Sequence, residues 1–358
     1  MANINDYIKW RGDIPISKEY PINEIDCMIF ARISYLLFNR IEMDESETLE
    51  SIGNKMRNFK ESDYLYKGDS LLIENLSTSK RFKNVVLSDF YENNEKSLEL
   101  QFGAITLHPT DDEIYVSYIG TNSLIYGWKE DFNMAFLDDI PCQLEGKKYL
   151  ETIATKYSDK LIRVGGHSKG GNVAMYSALT CDPSIENRII KVYNYDGPGL
   201  TEKLATSYKN SKILYRIESY FPQDSIIGRV LYHPEKSTIV KSVENLIFEH
   251  DIYSWQVMGT DIEKTELTKT SQIINNTIMN WLKNSSIEDR KIFIDCVFEM
   301  IYSTNVDTFP EILNNITKNV TIILKKYTHL SKDEKTTFTN MIKLFLTSYI
   351  KEIRSEKN

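Results

Sequence analysis

The sequence has few of the features that mark disulfide-rich, metal-binding or redox-active proteins. Its four cysteines are Cys27, Cys142, Cys181 and Cys296, which lie far apart and form no Cys-x-x-Cys pair. This spacing argues against a zinc site and against a disulfide framework. We therefore expect no metal, no cofactor and a location in the reducing cytoplasm.

The sequence also lacks the long apolar runs and the basic surfaces that other classes of protein need. No stretch of about 18 apolar residues occurs, so no membrane-spanning helix is expected. The first residues do not show a basic segment followed by an apolar core, and they therefore do not resemble a secretory signal. Acidic residues outnumber basic ones by 51 to 43, for a net charge of −8, which argues against general nucleic-acid binding.

One stretch, residues 161–177, carries the clearest chemical signal. It reads L-I-R-V-G-G-H-S-K-G-G-N-V-A-M-Y-S, an apolar strand pattern, a glycine-rich turn and then a helix pattern. Gly166, Ser168 and Gly170 fit the G-x-S-x-G motif, in which a serine lies at a strained strand-to-helix turn. Its neighbours at two residues' distance must lack a Cβ atom for the turn to close. We interpret Ser168 as a catalytic nucleophile, because phosphate-binding turns have a different glycine spacing.

The pattern of strands and helices around this stretch predicts an α/β fold. Apolar strand patterns occur at 84–87, 98–105, 114–119, 161–164, 189–195, 212–219 and 238–241. Between residues 95 and 260 they alternate with helical segments, which favours a mostly parallel sheet with helices on both faces. We expect an N-terminal helical region at 1–94, the α/β core at 95–260 and a C-terminal helical region at 261–358, where S-x-x-E capping boxes begin at Ser285 and Ser331.

A serine nucleophile needs a base, and the chain offers five histidines. His167 is next to the serine, but its side chain should point away from a tight turn. His108 and His329 have no acidic pattern near them. In hydrolases with this motif the acid and then the histidine follow the serine along the chain, which leaves His233 and His250. We prefer His250 because it comes last before the C-terminal helices.

The acid and the oxyanion hole have weaker signals in the sequence. Asp224 lies in a loop after the strand pattern at 212–219 and is the preferred triad acid. Asp196 directly follows the preceding strand pattern and is the alternative, although it could simply stabilise a turn. The oxyanion hole is expected from the backbone N–H groups of Thr121, after an earlier strand, and of Lys169, after the nucleophile.

An aromatic-rich segment at 123–141 follows the strand at 114–119. It contains Trp128, Phe132, Met134 and Phe136 among acidic residues. Such a segment either covers a pocket or belongs to the core, and we prefer the core. A third hypothesis is contact with a membrane surface through these side chains.

Several separated motifs carry a resemblance to a known family. They are D-Y-I-K-W-R-G-D at 6–13, Y-I-G-T-N at 118–122, G-W-K-E-D-F at 127–132, G-H-S-K-G-G-N at 166–172, D-G-P-G at 196–199 and F-E-H-D-I-Y-S-W at 248–255. Together they make the chain similar to an uncharacterised bacterial branch of the lipase class 3-like α/β-hydrolases. The chain departs from the wider pattern at Ile119, where such lipases usually carry arginine.

The resemblance implies an α/β-hydrolase fold with Ser168 as nucleophile, His250 as base and an oxyanion element at Gly120 and Thr121. The function we expect is that of a serine esterase that cleaves a carboxylic ester of a lipid or another small acyl compound. The alternative is a catalytically inactive protein that uses the hydrolase fold for binding. We expect no nucleic-acid partner, and peripheral contact with a membrane is the open alternative named above.

Overall fold

The computed structural model of the chain describes residues 2–355. Its central element is a single eight-stranded sheet in which each strand lies beside its neighbour in the sequence. The strands are β1 (Ser46–Thr48), β2 (Val86–Glu95), β3 (Leu100–His108), β4 (Glu113–Tyr118), β5 (Leu161–His167), β6 (Ile189–Tyr195), β7 (Ile217–Pro222) and β8 (Lys236–Val240). A separate two-stranded hairpin consists of β9 (Val257–Met258) and β10 (Asp261–Ile262).

The sheet has an antiparallel part and a parallel part. Strands β1 to β4 pair antiparallel, whereas β4 to β8 pair parallel. The parallel strands are joined by crossovers, most of which contain helices. Since the carboxyl ends of parallel strands meet at one edge, the loops after β4, β5, β6 and β7 lie close together. The predicted α/β-hydrolase fold with its mostly parallel sheet is confirmed.

Helices make up most of the remaining structure. Before and within the sheet region they are α1 (Ile4–Arg11), α2 (Glu24–Ile33), α3 (Leu49–Met56), α4 (Asp69–Thr78), α5 (Ile125–Asn133), α6 (Pro141–Lys156), α7 (Lys169–Thr180), α8 (Pro183–Glu186) and α9 (Glu202–Ser207). After the sheet they are α10 (Lys269–Lys283), α11 (Ile287–Tyr302), α12 (Phe309–Asn314), α13 (Ile316–Thr328) and α14 (Lys332–Ser355). No helix within residues 2–355 combines the length and the apolar character that crossing a bilayer would require.

Side chains of the parallel strands point alternately to the two faces of the sheet, and each face carries its own hydrophobic core. On β4, Tyr115 points to one face, where it joins the buried residues of the N-terminal helices. Its neighbours Ile114 and Val116 point to the other face and pack with α6 and α7. Side chains of successive strand residues point to opposite faces, so a strand buried on both sides has no polar face.

Two predicted segments differ from the structure. The strand predicted at 212–219 occurs as β7 from Ile217 to Pro222, because Leu214–Arg216 forms a turn of 3₁₀ helix. Strand β2 extends to Glu95, well past the predicted end at residue 87, and pairs with β3 along its polar half. The predicted boundary at residue 94 therefore falls inside a strand of the sheet.

Candidate active site

The turn at Ser168 has the strained geometry of a nucleophile elbow. Strand β5 ends at His167 and α7 begins at Lys169, so Ser168 alone makes the turn, with φ 59° and ψ −134°. A non-glycine residue at positive φ is costly and persists only where its surroundings impose it. A Cβ atom at Gly166 would overlap the backbone of Gly170, and one at Gly170 would overlap the carbonyl of Tyr118. The glycines therefore permit the tight approach that fixes Ser168 in this conformation.

Neighbouring elements hold the elbow on both sides. The backbone N–H of Ser168 donates to the carbonyl of Tyr195 on β6 at 2.9 Å. The hydroxyl of Tyr35 donates to the carbonyl of His167 at 3.0 Å. Helix α7 starts directly after Ser168, so its first N–H groups and the positive end of its dipole lie at the serine. This arrangement favours negative charge on a group bound there.

His250 is paired with a buried carboxylate. It lies at the end of the 3₁₀ helix Leu246–His250, and its Nδ1 atom is 2.6 Å from Oδ2 of Asp196. Asp196 follows β6 directly and is almost completely buried. The other oxygen of its carboxylate accepts a hydrogen bond of 2.5 Å from the hydroxyl of Ser225. Charge-assisted bonds of this kind fix both the position and the tautomer of an imidazole.

Asp224, the preferred acid of the sequence analysis, has other partners. Its carboxylate accepts a hydrogen bond from the hydroxyl of Thr268, the residue that caps α10. Its backbone N–H donates to the carboxylate of Glu249 at 2.6 Å. The structure thus brings His250 together with Asp196, the alternative acid. The carboxylate of Asp224 instead contacts the residue that caps the N-terminus of α10. The physical reason is strand order: β6, which precedes Asp196, is the direct neighbour of β5, whereas β7 is one strand further away.

His167 contacts both the ring and the backbone of His250. The two rings lie 4.5 Å apart between centroids, and Nε2 of His167 donates to the backbone carbonyl of His250 at 2.7 Å. A carbonyl only accepts, so His167 carries its proton on Nε2. Burial and the neighbouring His250 lower the pKa of His167 well below its ordinary value. A neutral, fully buried ring in this place fixes the backbone of His250.

The two residues predicted for the oxyanion hole, Thr121 and Lys169, are joined by a network of acidic side chains. The hydroxyl of Thr121 donates to Asp131 at 2.5 Å, and the ammonium of Lys169 lies 3.5 Å from the same carboxylate. Lys169 also forms a fully buried ion pair of 2.8 Å with Glu130. Burial, partly offset by Lys169, raises the pKa of Asp131 to about 6.

The sequence analysis did not identify Glu130 or Asp131 as site residues. They lie on α5, inside the aromatic-rich segment, and their acidic character was the only signal. Glu130 also accepts hydrogen bonds from the backbone N–H groups of Gln101 and Cys142, so it ties α5 to β3 and α6.

Ser168, His250, Thr121 and Lys169 all line one cavity of about 550 Å³. Most of its remaining wall consists of apolar side chains, and it includes three of the four apolar residues singled out at 123–141. Those three are Trp128, Phe132 and Met134. Phe136 packs instead in a small core with α11. The segment therefore contributes to a pocket as well as to the core.

All four cysteines are free and buried. Within residues 2–355 no cluster of three or more histidine, cysteine or carboxylate side chains has an arrangement that could hold a metal ion.

Comparisons with known proteins agree with the fold. A family described as Mbeg1-like matches residues 76–299, more than half of the chain, and this match supports the resemblance to lipase class 3-like α/β-hydrolases. No curated protein matches.

Solved structures with a similar fold include three lipases. A structure described as a fungal lipase is 13% identical, with a TM-score of 0.41 over 74% of this chain and 90% of its own. Lip2 lipase from Yarrowia lipolytica is 17% identical, with a TM-score of 0.32 over 54% of this chain and 76% of its own. The native Rhizomucor miehei lipase propeptide complex is 14% identical, with a TM-score of 0.36 over 54% and 66%. At these values the fold assignment rests on the strand order and on the turn at Ser168.

Proposed function

The chain belongs to the Mbeg1-like family, and we propose that it is a serine hydrolase that cleaves a carboxylic ester through an acyl-enzyme on Ser168. One observation carries the proposal. An imidazole bound to a buried carboxylate at 2.6 Å lines the same cavity as a serine in the strained elbow conformation. A nucleophile, a base and a group that orients the base are the parts that acyl transfer requires.

The geometry at His250 assigns each part a role. Nδ1–H of His250 donates to Asp196, so in the neutral imidazole Nε2 carries no proton and can accept one. In the first step the hydroxyl oxygen of Ser168 bonds to the ester carbonyl carbon, and its proton passes to Nε2 of His250. The tetrahedral intermediate then expels the alcohol, which takes that proton. A water molecule repeats the sequence on the acyl-enzyme and releases the carboxylic acid.

Negative charge on the tetrahedral oxygen needs donors that are already in place. We assign this role to the backbone N–H groups of Thr121 and Lys169, as the sequence analysis expected. The hydrogen bond from Thr121 to Asp131 fixes the loop after β4, and the start of α7 fixes Lys169. Loss of one such donor typically costs about 2.7–4 kcal/mol of transition-state stabilisation.

The cavity indicates the class of substrate. Its wall is apolar apart from the residues of the site and a few neighbours, so an acyl chain fits it better than a sugar or a charged acid.

Hydrolysis of p-nitrophenyl butyrate tests the proposal. We expect Ser168→Ala and His250→Ala each to abolish the enzyme-dependent rate. Ser177→Ala is the matched control, because Ser177 is another buried serine nearby, inside α7, and does not line the cavity. Equal rates for wild type and Ser168→Ala would refute the proposal, and inactivity of a folded wild type towards all esters would favour the binding protein named as the alternative.

Peripheral contact with a membrane remains a prediction of the sequence. Phe132 lines the cavity and, at 51% exposed, is the most exposed of the four apolar side chains named at 123–141. Co-sedimentation with phosphatidylcholine vesicles should be weaker for Phe132→Asp than for wild type. Equal sedimentation of the two proteins would contradict the prediction.

A further inference from the structure

The C-terminal helix α14 forms part of the wall of the cavity that contains Ser168. Four of its residues line the cavity, namely Met341, Ile342, Phe345 and Leu346. Because residues three and four apart lie on the same side of a helix, these four form one apolar stripe along α14. Met341 is buried, whereas the other three remain partly exposed, as expected for residues at the rim of an opening.

Helices α10 and α11 contribute to the same wall. Ile278, Trp281 and Leu282 of α10 and Phe293 and Ile294 of α11 line the same cavity. All five are apolar, so the wall offers no hydrogen-bond partner to a polar group of a substrate, apart from the indole N–H of Trp281. That N–H is already bound to the carbonyl of Met341 at 3.1 Å.

The wall is attached to the catalytic site by hydrogen bonds at the start of α10. The hydroxyl of Ser271 donates to the carbonyl of Ser225 at 2.7 Å, and the hydroxyl of Ser225 donates to Asp196. Thr268, which caps α10, is bound to Asp224. The position of α10 is therefore fixed relative to the carboxylate that holds His250.

Helix α14 lies outside the part of the chain that matches the family. The match ends at residue 299, whereas α14 begins at Lys332. The stripe on α14 is thus a feature of this chain that family membership does not supply. It docks on α10 and α11 through side chains, for example the amide of Asn280 on the carboxylate of Glu352 at 2.7 Å.

We propose that α14, together with α10 and α11, forms the binding wall for the acyl chain and sets a preference for aliphatic chains longer than butyryl. The proposal rests on the proposed function, because it names the substrate of that same site. A volume of about 550 Å³ lies within the usual range for small-molecule sites and exceeds what an acetyl or butyryl group would fill. Each methylene buried against such a wall improves binding roughly fourfold.

A series of p-nitrophenyl esters tests the preference. We expect kcat/KM of the wild type to rise from acetate through butyrate to octanoate. Phe345→Asp should lower the ratio of octanoate to butyrate by about tenfold, which corresponds to the loss of one to two buried methylenes. Tyr349→Asp is the matched control: Phe345 and Tyr349 lie one turn apart and are each 40% exposed, but only Phe345 lines the cavity.

A second pair of variants keeps the test decisive if Phe345→Asp does not fold. Leu346 is 52% exposed and lines the cavity, whereas Ile350, one turn further, is 49% exposed and does not. Leu346→Asp should lower the octanoate-to-butyrate ratio, and Ile350→Asp should leave it unchanged. Circular dichroism and thermal unfolding establish that each variant is folded.

A binding measurement separates this proposal from the proposed function. In the Ser168→Ala background, the fluorescent fatty acid cis-parinaric acid should bind, and Phe345→Asp should weaken that binding about tenfold. If the fatty acid binds but the wild-type protein hydrolyses none of the esters, the result would support the wall and refute the hydrolase. Hydrolysis that is indifferent to acyl length, with no fatty-acid binding, would refute the wall and leave the hydrolase standing. The absence of both would overturn both proposals.

Discussion

The assignment of the triad acid makes a sharp prediction, because two aspartates compete for the role. The carboxylate of Asp196 acts only as an acceptor: it accepts a hydrogen bond from Nδ1–H of His250 at 2.6 Å and is almost completely buried. An asparagine at this position can present its NH₂ group to Nδ1 instead. The imidazole would then carry its proton on Nε2, where it cannot accept the proton of Ser168.

The expected magnitude is large. Asp196→Asn should lower kcat for ester hydrolysis by roughly 10⁴-fold, the size seen where a triad aspartate is replaced by asparagine and the wrong tautomer results. Asp224→Asn should change kcat by about threefold or less, since the carboxylate of Asp224 is bound to Thr268 at the start of α10. It should instead lower the free energy of unfolding by about 1 kcal/mol, as for a lost hydrogen bond.

Steady-state hydrolysis of p-nitrophenyl octanoate by the two variants is the assay, with urea unfolding as the measure of stability. The buried hydroxyl of Ser225 and the backbone around Asp196 are unchanged by either substitution, so the comparison isolates the two carboxylates. A loss of activity in Asp224→Asn, with Asp196→Asn nearly as active as wild type, would refute the assignment.

Three further predictions concern the elbow, a buried carboxyl and a buried ion pair. Gly170→Ala should lower the free energy of unfolding by more than about 3 kcal/mol, because the added Cβ atom has no room. Gly259→Ala should lower it by only about 1 kcal/mol, because Gly259 has a positive φ but lies in open space. Urea unfolding measures both values. Burial raises the pKa of Glu249 to about 7. The folded chain then binds this proton more tightly than the unfolded chain, so the free energy of unfolding falls as pH rises from about 4.5 to about 7. Glu249→Gln should therefore be more stable than wild type at pH 8, on the order of 2 kcal/mol, and no more stable at pH 4. Equal pH profiles of thermal unfolding for the two proteins would contradict this. Lys169→Met should lower the free energy of unfolding by about 3–5 kcal/mol, because it leaves Glu130 buried without its cation. Adding Glu130→Gln should recover part of this loss. Additive losses in the double variant would show that the two residues are not coupled.

The elbow could be predicted from sequence because its constraints are local. Gly166 and Gly170 are needed within the same turn as Ser168, and the apolar strand before it and the small residues after it complete the pattern. The capping box at Ser331 is local in the same way, and the structure contains both of its hydrogen bonds. At the other predicted box the capping residue is Ser286, one position later, which contacts Asp289.

The choice of acid could not be made locally. Asp196 and Asp224 each follow a strand, and each has a turn-like sequence around it. Which of them reaches His250 depends on the order of β5, β6 and β7 in the sheet and on where residues 246–250 pack. The preference for Asp224 followed position in the sequence, whereas the contact depends on distances in three dimensions.

The cavity wall could not be predicted from the sequence either. Helical periodicity predicts that α14 exists and has an apolar stripe, but not what the stripe faces. The polar half of β2 was missed for a related reason: its sequence lacks the apolar alternation of a half-buried strand, and pairing with β3 keeps it extended. Contacts between segments distant in the sequence decide both cases.

Covalent labelling tests the central claim most directly. A fluorophosphonate probe should react with the wild-type protein, and peptide mass spectrometry should place a single adduct on Ser168. Ser168→Ala should remain unlabelled, while Ser177→Ala is labelled like wild type. An adduct on another residue, or equal labelling of wild type and Ser168→Ala, would contradict the account.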